Sequence, residues 1–160
     1  MNLQKLFEMQ AALDAFIEKT QNITQDVFYE KGLALLVELG ELANETRCFK
    51  FWSTKGPSAR EVILEEFVDS IHFMLSLGLM RDLQFEEWQM VEDKADLTQI
   101  FIDTQVAITQ FIQQPNEMSY HNIWSNYARL AYNLTFSAQE IIDAYIEKNE
   151  ENYARQRSGY

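Results

Sequence analysis

Cysteine, histidine, proline and glycine are all scarce: 160 residues hold one Cys, two His, two Pro and five Gly, and each shortage excludes something. A lone Cys48 cannot close an intramolecular disulfide, and it has no partner that would make it a nucleophile. Five glycines and two prolines are too few for the many turns of a β-sandwich or barrel. No run approaches the roughly 20 apolar residues of a membrane span, the best local stretch being Leu33 to Val37. Lys5, Glu8, Asp14 and Glu18 interrupt the segment where a signal peptide needs an apolar core. Basic residues are short as well, with 13 Lys and Arg against 25 Asp and Glu and a net charge of −12. That balance disfavours a surface that wraps nucleic acid or docks on an anionic membrane. What remains is ample core material, 47% hydrophobic and 13% aromatic residues. The expectation is a soluble cytoplasmic chain folded as one domain over residues 1–160.

The spacing of apolar residues predicts an all-α bundle of about six helices. The first covers about residues 3–18, with Leu3, Leu6, Phe7, Leu13, Phe16 and Ile17 at helical spacing. The second runs from about Thr24 to Phe49, before a loop closed by Gly56-Pro57. Ser58-Ala59-Arg60-Glu61 reads as a capping box opening a third helix to about Met80. The fourth covers about Asp93 to Gln113, stopping before Pro115, and the fifth about Ser119 to Leu134. A second capping box, Ser137-Ala138-Gln139-Glu140, opens the sixth helix, which reaches about Arg155.

Charge is placed unevenly on two of these helices. On the second, Glu38, Glu41 and Glu45 share an arc of about 60°, while Leu35, Leu36, Leu39, Leu42 and Ala43 form the main apolar stripe and Leu33 and Val37 lie on the far side. On the third, Ile63, Leu64, Phe67, Val68, Ile71, Met74 and Leu75 fill one side, and Glu61, Glu65, Glu66 and Asp69 crowd the other, joined by His72 and Phe73. Two carboxylate pairs at i, i+3 result, Glu38/Glu41 and Glu66/Asp69. Converging between helices, they would repel one another unless a divalent cation compensated them. Oxygen-only ligation favours Mg²⁺ first, then Mn²⁺ or Ca²⁺. The plainer alternative is a solvated acidic face on each helix. A di-iron site needs Glu-x-x-His from two helices, and the chain offers only Asp69-x-x-His72. There is no His-Glu-x-x-His and no EF-hand loop. His121, alone on its helix, reads as a packed or surface histidine.

Glu38-x-x-Glu41, 24 intervening residues and Glu66-x-x-Asp69 resemble the metal signature of the all-α nucleoside triphosphate pyrophosphatases. Further segments resemble the dimeric dUTPase branch: Leu6-Phe7-Glu8-Met9-Gln10, Phe49-Lys50-Phe51-Trp52, Phe73 four residues after Asp69, and a C-terminal set of Tyr145, Lys148-Asn149, Asn152, Arg155-Gln156 and Gly159-Tyr160. Asp82 to Asn133 carries no matching motif.

The resemblance implies Mg²⁺-dependent hydrolysis of dUTP to dUMP and pyrophosphate by a homodimer, with Mn²⁺ a possible substitute. It implies Glu38, Glu41, Glu66 and Asp69 as metal ligands, with Glu38 also orienting and deprotonating the attacking water. Gln10 would read uracil, Phe73 would stack on deoxyribose, and Lys50 and Trp52 would belong to a basic-aromatic substrate motif. Lys148, Asn152 and Arg155 share one face of the last helix and would meet phosphate, sugar or base. Each has a structural alternative: Lys148 and Arg155 could balance the helix dipole, and Trp52 and Phe73 could pack in the core. The competing functions are pyrophosphate release from another dNTP, or an acidic helical module that binds a regulatory protein. The resemblance also admits a regulatory protein partner, since dimeric dUTPases of phage origin engage regulators.

Overall fold

Six helices account for most of the computed structural model, which describes residues 1–160: α1 (Gln4–Thr20), α2 (Phe28–Thr46), α3 (Arg60–Met80), α4 (Leu97–Gln113), α5 (Glu117–Asn133) and α6 (Ala138–Arg157). No strand forms; one isolated bridge joins Asn2 to Glu87. The all-α bundle expected from the sequence is the observed fold. No helix is long and apolar enough to cross a membrane.

α3 is the central element. Phe67, Val68, Ile71, Met74 and Leu75 are completely buried, and Ser70, Ser76 and Gly78 are buried too, small residues that let neighbours approach closely. α1, α2 and α6 pack against α3, and α2 also carries α4, which pairs with α5. Contacts at Gln10–His72 and Asp14–Ser76 run α1 parallel to α3. Lys31 meets Ser76 while Glu38 meets Asp69, so α2 runs antiparallel to α3. The α4–α5 pair, from the stretch without a matching motif, closes the core with Phe111, Tyr120, Trp124 and Tyr127. The connection after α3 is pinned to the N-terminus: Leu3 N–H donates to Glu86 C=O (2.7 Å), and Trp88 N–H to Met1 C=O (2.9 Å).

Several helix ends differ from the expected ones, each for a local reason. α2 starts at Phe28 rather than Thr24, where Asp26 Oδ1 accepts from the Phe28 N–H (2.8 Å). It stops at Thr46 because Arg47 takes the left-handed conformation, φ 58°. The Ser58/Glu61 capping box does not form. Ala59 is the N-cap without a side-chain bond, and the Ser58 hydroxyl instead donates to the Glu45 carboxylate across the loop. α4 starts at Leu97 behind an Asp96 cap (3.1 Å), and α5 starts at Glu117 behind an Asn116/Ser119 box. The Ser137/Glu140 box forms as expected.

One close approach is testable. A Cβ on Gly78 would overlap the ring and hydroxyl of Tyr120. That ring is fully buried, and its hydroxyl donates to Met74 C=O at 2.7 Å. Gly78→Ala gains about 1 kcal/mol of helix propensity and meets an overpacking cost of about 1–3 kcal/mol. The expected outcome in chemical denaturation is a lower midpoint; an unchanged or raised midpoint would show that the ring can yield.

Candidate metal centre and its cavity

Antiparallel packing of α2 on α3 brings carboxylate oxygens of Glu38, Glu66 and Asp69 within 4.8 Å of one another. Glu38 is half-buried, and its Oε2 has no hydrogen-bond partner. Glu41, one turn on, is exposed at the rim, close enough to hydrogen-bond Glu38. Burial first, then the charge of Asp69 and the proximity of Glu41, push the Glu38 carboxyl up to about 8. Burial and the charge of Asp69 raise Glu66 to about 6. Burial also raises Asp69 to about 6, against the opposing pull of Lys148. An orphaned buried carboxylate oxygen beside two more acids suits a hard divalent cation, because a cation supplies the charge that the protein withholds. A fully solvated acidic face does not describe this arrangement.

Lys148 is the protein's own counter-charge. Its side chain is 9% exposed, with Nζ 2.9 Å from Glu65 and 3.2 Å from Asp69. Burial works against the ammonium, but Glu65 and Asp69 outweigh it and raise its pKa. Arg155, two turns on, pairs with Glu151 at 2.6 Å and lies over the Tyr160 ring. Both cations line a cavity of about 350 Å³ together with Glu38, Asp69, Phe73, Asn152 and Gln10. One space therefore gathers seven of the residues singled out in the sequence. Glu66 stands beside it in the acidic cluster.

Lys50 and Trp52 are not part of this cavity. They follow α2 in an aromatic turn where Trp52, 65% exposed, packs edge-on against Phe49 and Phe51, and Lys50 lies over Phe49. His72 does not join the acids; it is buried, stacked on Tyr145 with ring centroids 4.2 Å apart. His121 packs on Phe85, and Cys48 is a free thiol in the turn after α2. Sequence reasoning missed Asp14, Lys31 and Ser76, which line the cavity away from the acids and bond to one another. A polar residue on an otherwise apolar helix face was the available signal, strongest for Ser76 on α3.

A family model described as dUTPase matches residues 2–160. The chain belongs to the dUTPase family. Membership covers the α4–α5 stretch in which no motif was recognised, and it indicates dUTP diphosphatase activity. Comparison with curated proteins finds no match. The cavity combines acids with two basic side chains, while Leu13, Ile17, Ile23 and Val27 supply apolar wall.

The raised carboxyls make stability depend on pH. The folded enzyme retains protons that the unfolded chain, with ordinary values of 4.5 for Glu and 3.8 for Asp, would release. Their contribution is present below those values and is lost as pH rises through about 6 and then about 8. Without metal, the melting temperature is expected to fall between about pH 5 and about pH 8, and saturating Mg²⁺ to restore much of it. Calorimetry in EDTA and in Mg²⁺ checks this; a melting temperature that climbs with pH in EDTA would contradict the crowded-acid picture.

Proposed function

We propose that this dUTPase is a Mg²⁺-dependent homodimer in the cytoplasm, a single unit over residues 1–160, that hydrolyses dUTP to dUMP and pyrophosphate, with Mn²⁺ able to substitute. The observation that carries the reading is the Glu38, Glu66 and Asp69 cluster with its unpartnered Glu38 oxygen, opening on a cavity with Lys148 and Arg155. Glu38, Glu41, Glu66 and Asp69 would hold the ions. Bound divalent ions would neutralise triphosphate charge and lower the pKa of water.

The chain's own groups do the rest. Glu38 orients the attacking water and takes its proton as oxygen bonds to the α-phosphorus, and the bridging oxygen leaves with pyrophosphate. Lys148 and Arg155 bind phosphate oxygens, which requires Lys148 to exchange a carboxylate partner for phosphate. Phe73 packs on the deoxyribose, where a 2′-hydroxyl would find no room. Asn152 bonds sugar or base, and Gln10 bonds the base.

The dimer rests on an exposed apolar face. Tyr29, Leu33 and Val37 repeat every four residues along the outer side of α2, and Ile102 and Val106 stand exposed on neighbouring α4. An apolar groove between these helices runs to Phe49. A second copy seated there would cover the turn carrying Lys50 and Trp52, which is how that motif would approach a nucleotide.

With Mg²⁺, pyrophosphate release is expected from dUTP but not UTP, and none in EDTA. Glu38→Gln is expected to lower turnover at least about 100-fold while raising the melting temperature of metal-free protein at alkaline pH, because charge crowding is relieved. Retained turnover in a folded Glu38→Gln protein would remove Glu38 from the mechanism. Val37→Glu is expected to shift the enzyme from dimer to monomer in sedimentation; an unchanged sedimentation coefficient would place the interface elsewhere.

A further inference from the structure

Gln10 sits among more polar partners than a surface-bound side chain requires. It is 3% exposed, yet it lines the cavity. Its Nε2 donates to Asp14 Oδ1 at 2.9 Å. Its Oε1 lies 2.8 Å from His72 Nδ1 and accepts from the Tyr145 hydroxyl, also at 2.8 Å; that hydroxyl's other acceptor, the Leu6 C=O, is more distant at 3.3 Å. Asp14 in turn accepts from the Ser76 hydroxyl at 2.6 Å, and Lys31 Nζ donates to Ser76 Oγ at 2.6 Å.

The polarity of this network is forced. A carboxylate can only accept, so the amide N–H₂ of Gln10 must face Asp14. The amide oxygen then faces His72 and Tyr145, which fixes the proton of neutral His72 on Nδ1 and makes Tyr145 a donor. Burial first, and then the charge of Lys148, keep the imidazole neutral by lowering it to about 3. Both lone pairs of Gln10 Oε1 are thereby occupied, and one N–H is committed to Asp14. A single donor N–H is all that Gln10 can offer a ligand.

Position along the cavity identifies that ligand. Glu38 and Asp69 mark the acidic end, and Lys31 and Ser76, each seven residues away on the same two helices, mark the other. Seven residues of helix span about 10.5 Å, room for a nucleoside extending from phosphates held at the acids. Resting on the dUTP reading above, we propose that Asp14, His72 and Tyr145 are positioning residues that hold Gln10 as a donor-only reader of the pyrimidine. Such a reader accepts the uracil carbonyl and rejects the amino group that cytosine presents in its place. Because a donor facing a donor leaves two buried N–H groups unpaired, the discrimination is steep.

The experiment compares kcat/KM for dUTP and dCTP in wild type, Asp14→Asn and Tyr145→Phe, and separately titrates dUMP and dCMP in EDTA by calorimetry. Asp14→Asn frees the amide to reverse. It is expected to lower the dUTP/dCTP ratio by at least about tenfold, with the dUMP preference falling in parallel. Tyr145→Phe keeps the ring stacked on His72 and exposes one lone pair, which moves the ratio the same way by less. A structural role alone would weaken both nucleotides equally. Unchanged ratios in folded variants overturn the proposal, and if Asp14→Asn fails to fold, the Tyr145→Phe ratio decides alone. Wild-type protein that turns over no nucleotide, by contrast, overturns the proposed function itself.

Discussion

The register of α2 on α3 governs everything that follows in this molecule. One antiparallel alignment sets Glu38 beside Asp69 and Lys31 beside Ser76, two helical turns apart. It is fixed by apolar residues on both helices: Leu35, Leu39 and Leu42 from one, Phe67, Ile71, Met74 and Leu75 from the other, all buried. Two ionised carboxylates no more than 4.8 Å apart repel by at least roughly 3 kcal/mol at an effective dielectric constant of 20. That is a large share of the roughly 5–15 kcal/mol by which a domain is stable. The packing tolerates it because retained protons and the Lys148 ammonium absorb the repulsion.

Much of this was legible in the sequence because helical periodicity is a local property. The acidic arc of α2 and the Glu66/Asp69 pair follow from a 100° turn per residue, and no tertiary information is needed to place them. The same holds for Lys148, Asn152 and Arg155 on one face of α6, which all reach the cavity. Capping was legible only where the residue had no better offer. Ser137 caps α6, whereas Ser58, with the same Ser-x-x-Glu signature, finds Glu45 across the loop and leaves its helix uncapped. His72 shows a related limit. Angle alone puts it near Asp69, but Tyr145 from a helix more than seventy residues later covers its ring. Asp14, Lys31 and Ser76 were invisible because their meaning lies in bonds between three helices, and no spacing within one helix encodes those.

Exposed apolar side chains carry information of a different kind. Leu33 and Val37 were expected on the far side of α2 from the main stripe, and there they stand in solvent. A helix apolar on both sides but for one acidic strip buries one apolar side in its own core and leaves the other as the kind of exposed patch that marks interaction surfaces. The aromatic turn of Phe49, Phe51 and Trp52 adjoins that second side through the groove between α2 and α4. That groove runs from Phe49 in the turn to Ile102, one of the exposed apolar side chains of α4.

The two ends of the cavity show how the same functional group does opposite work. Asp14 and Glu38 both carry carboxylates on its wall. Asp14 is surrounded by donors: Gln10, Ser76 and, at 3.8 Å, Lys31. Each of its oxygens accepts from a neutral donor and its charge is met by Lys31, so its polarity is fixed and passes through Gln10 to His72 and Tyr145. Glu38 has an oxygen buried without a donor and acids for neighbours. It has no donor of the protein's own to accept from, and its surroundings favour positive charge. A satisfied carboxylate organises donors around it, while an unsatisfied one demands a partner from outside. Placing one of each about two turns apart gives the cavity a hydrogen-bonded end and a charge-hungry end. A nucleotide, neutral at the base and anionic at the phosphates, has the matching polarity.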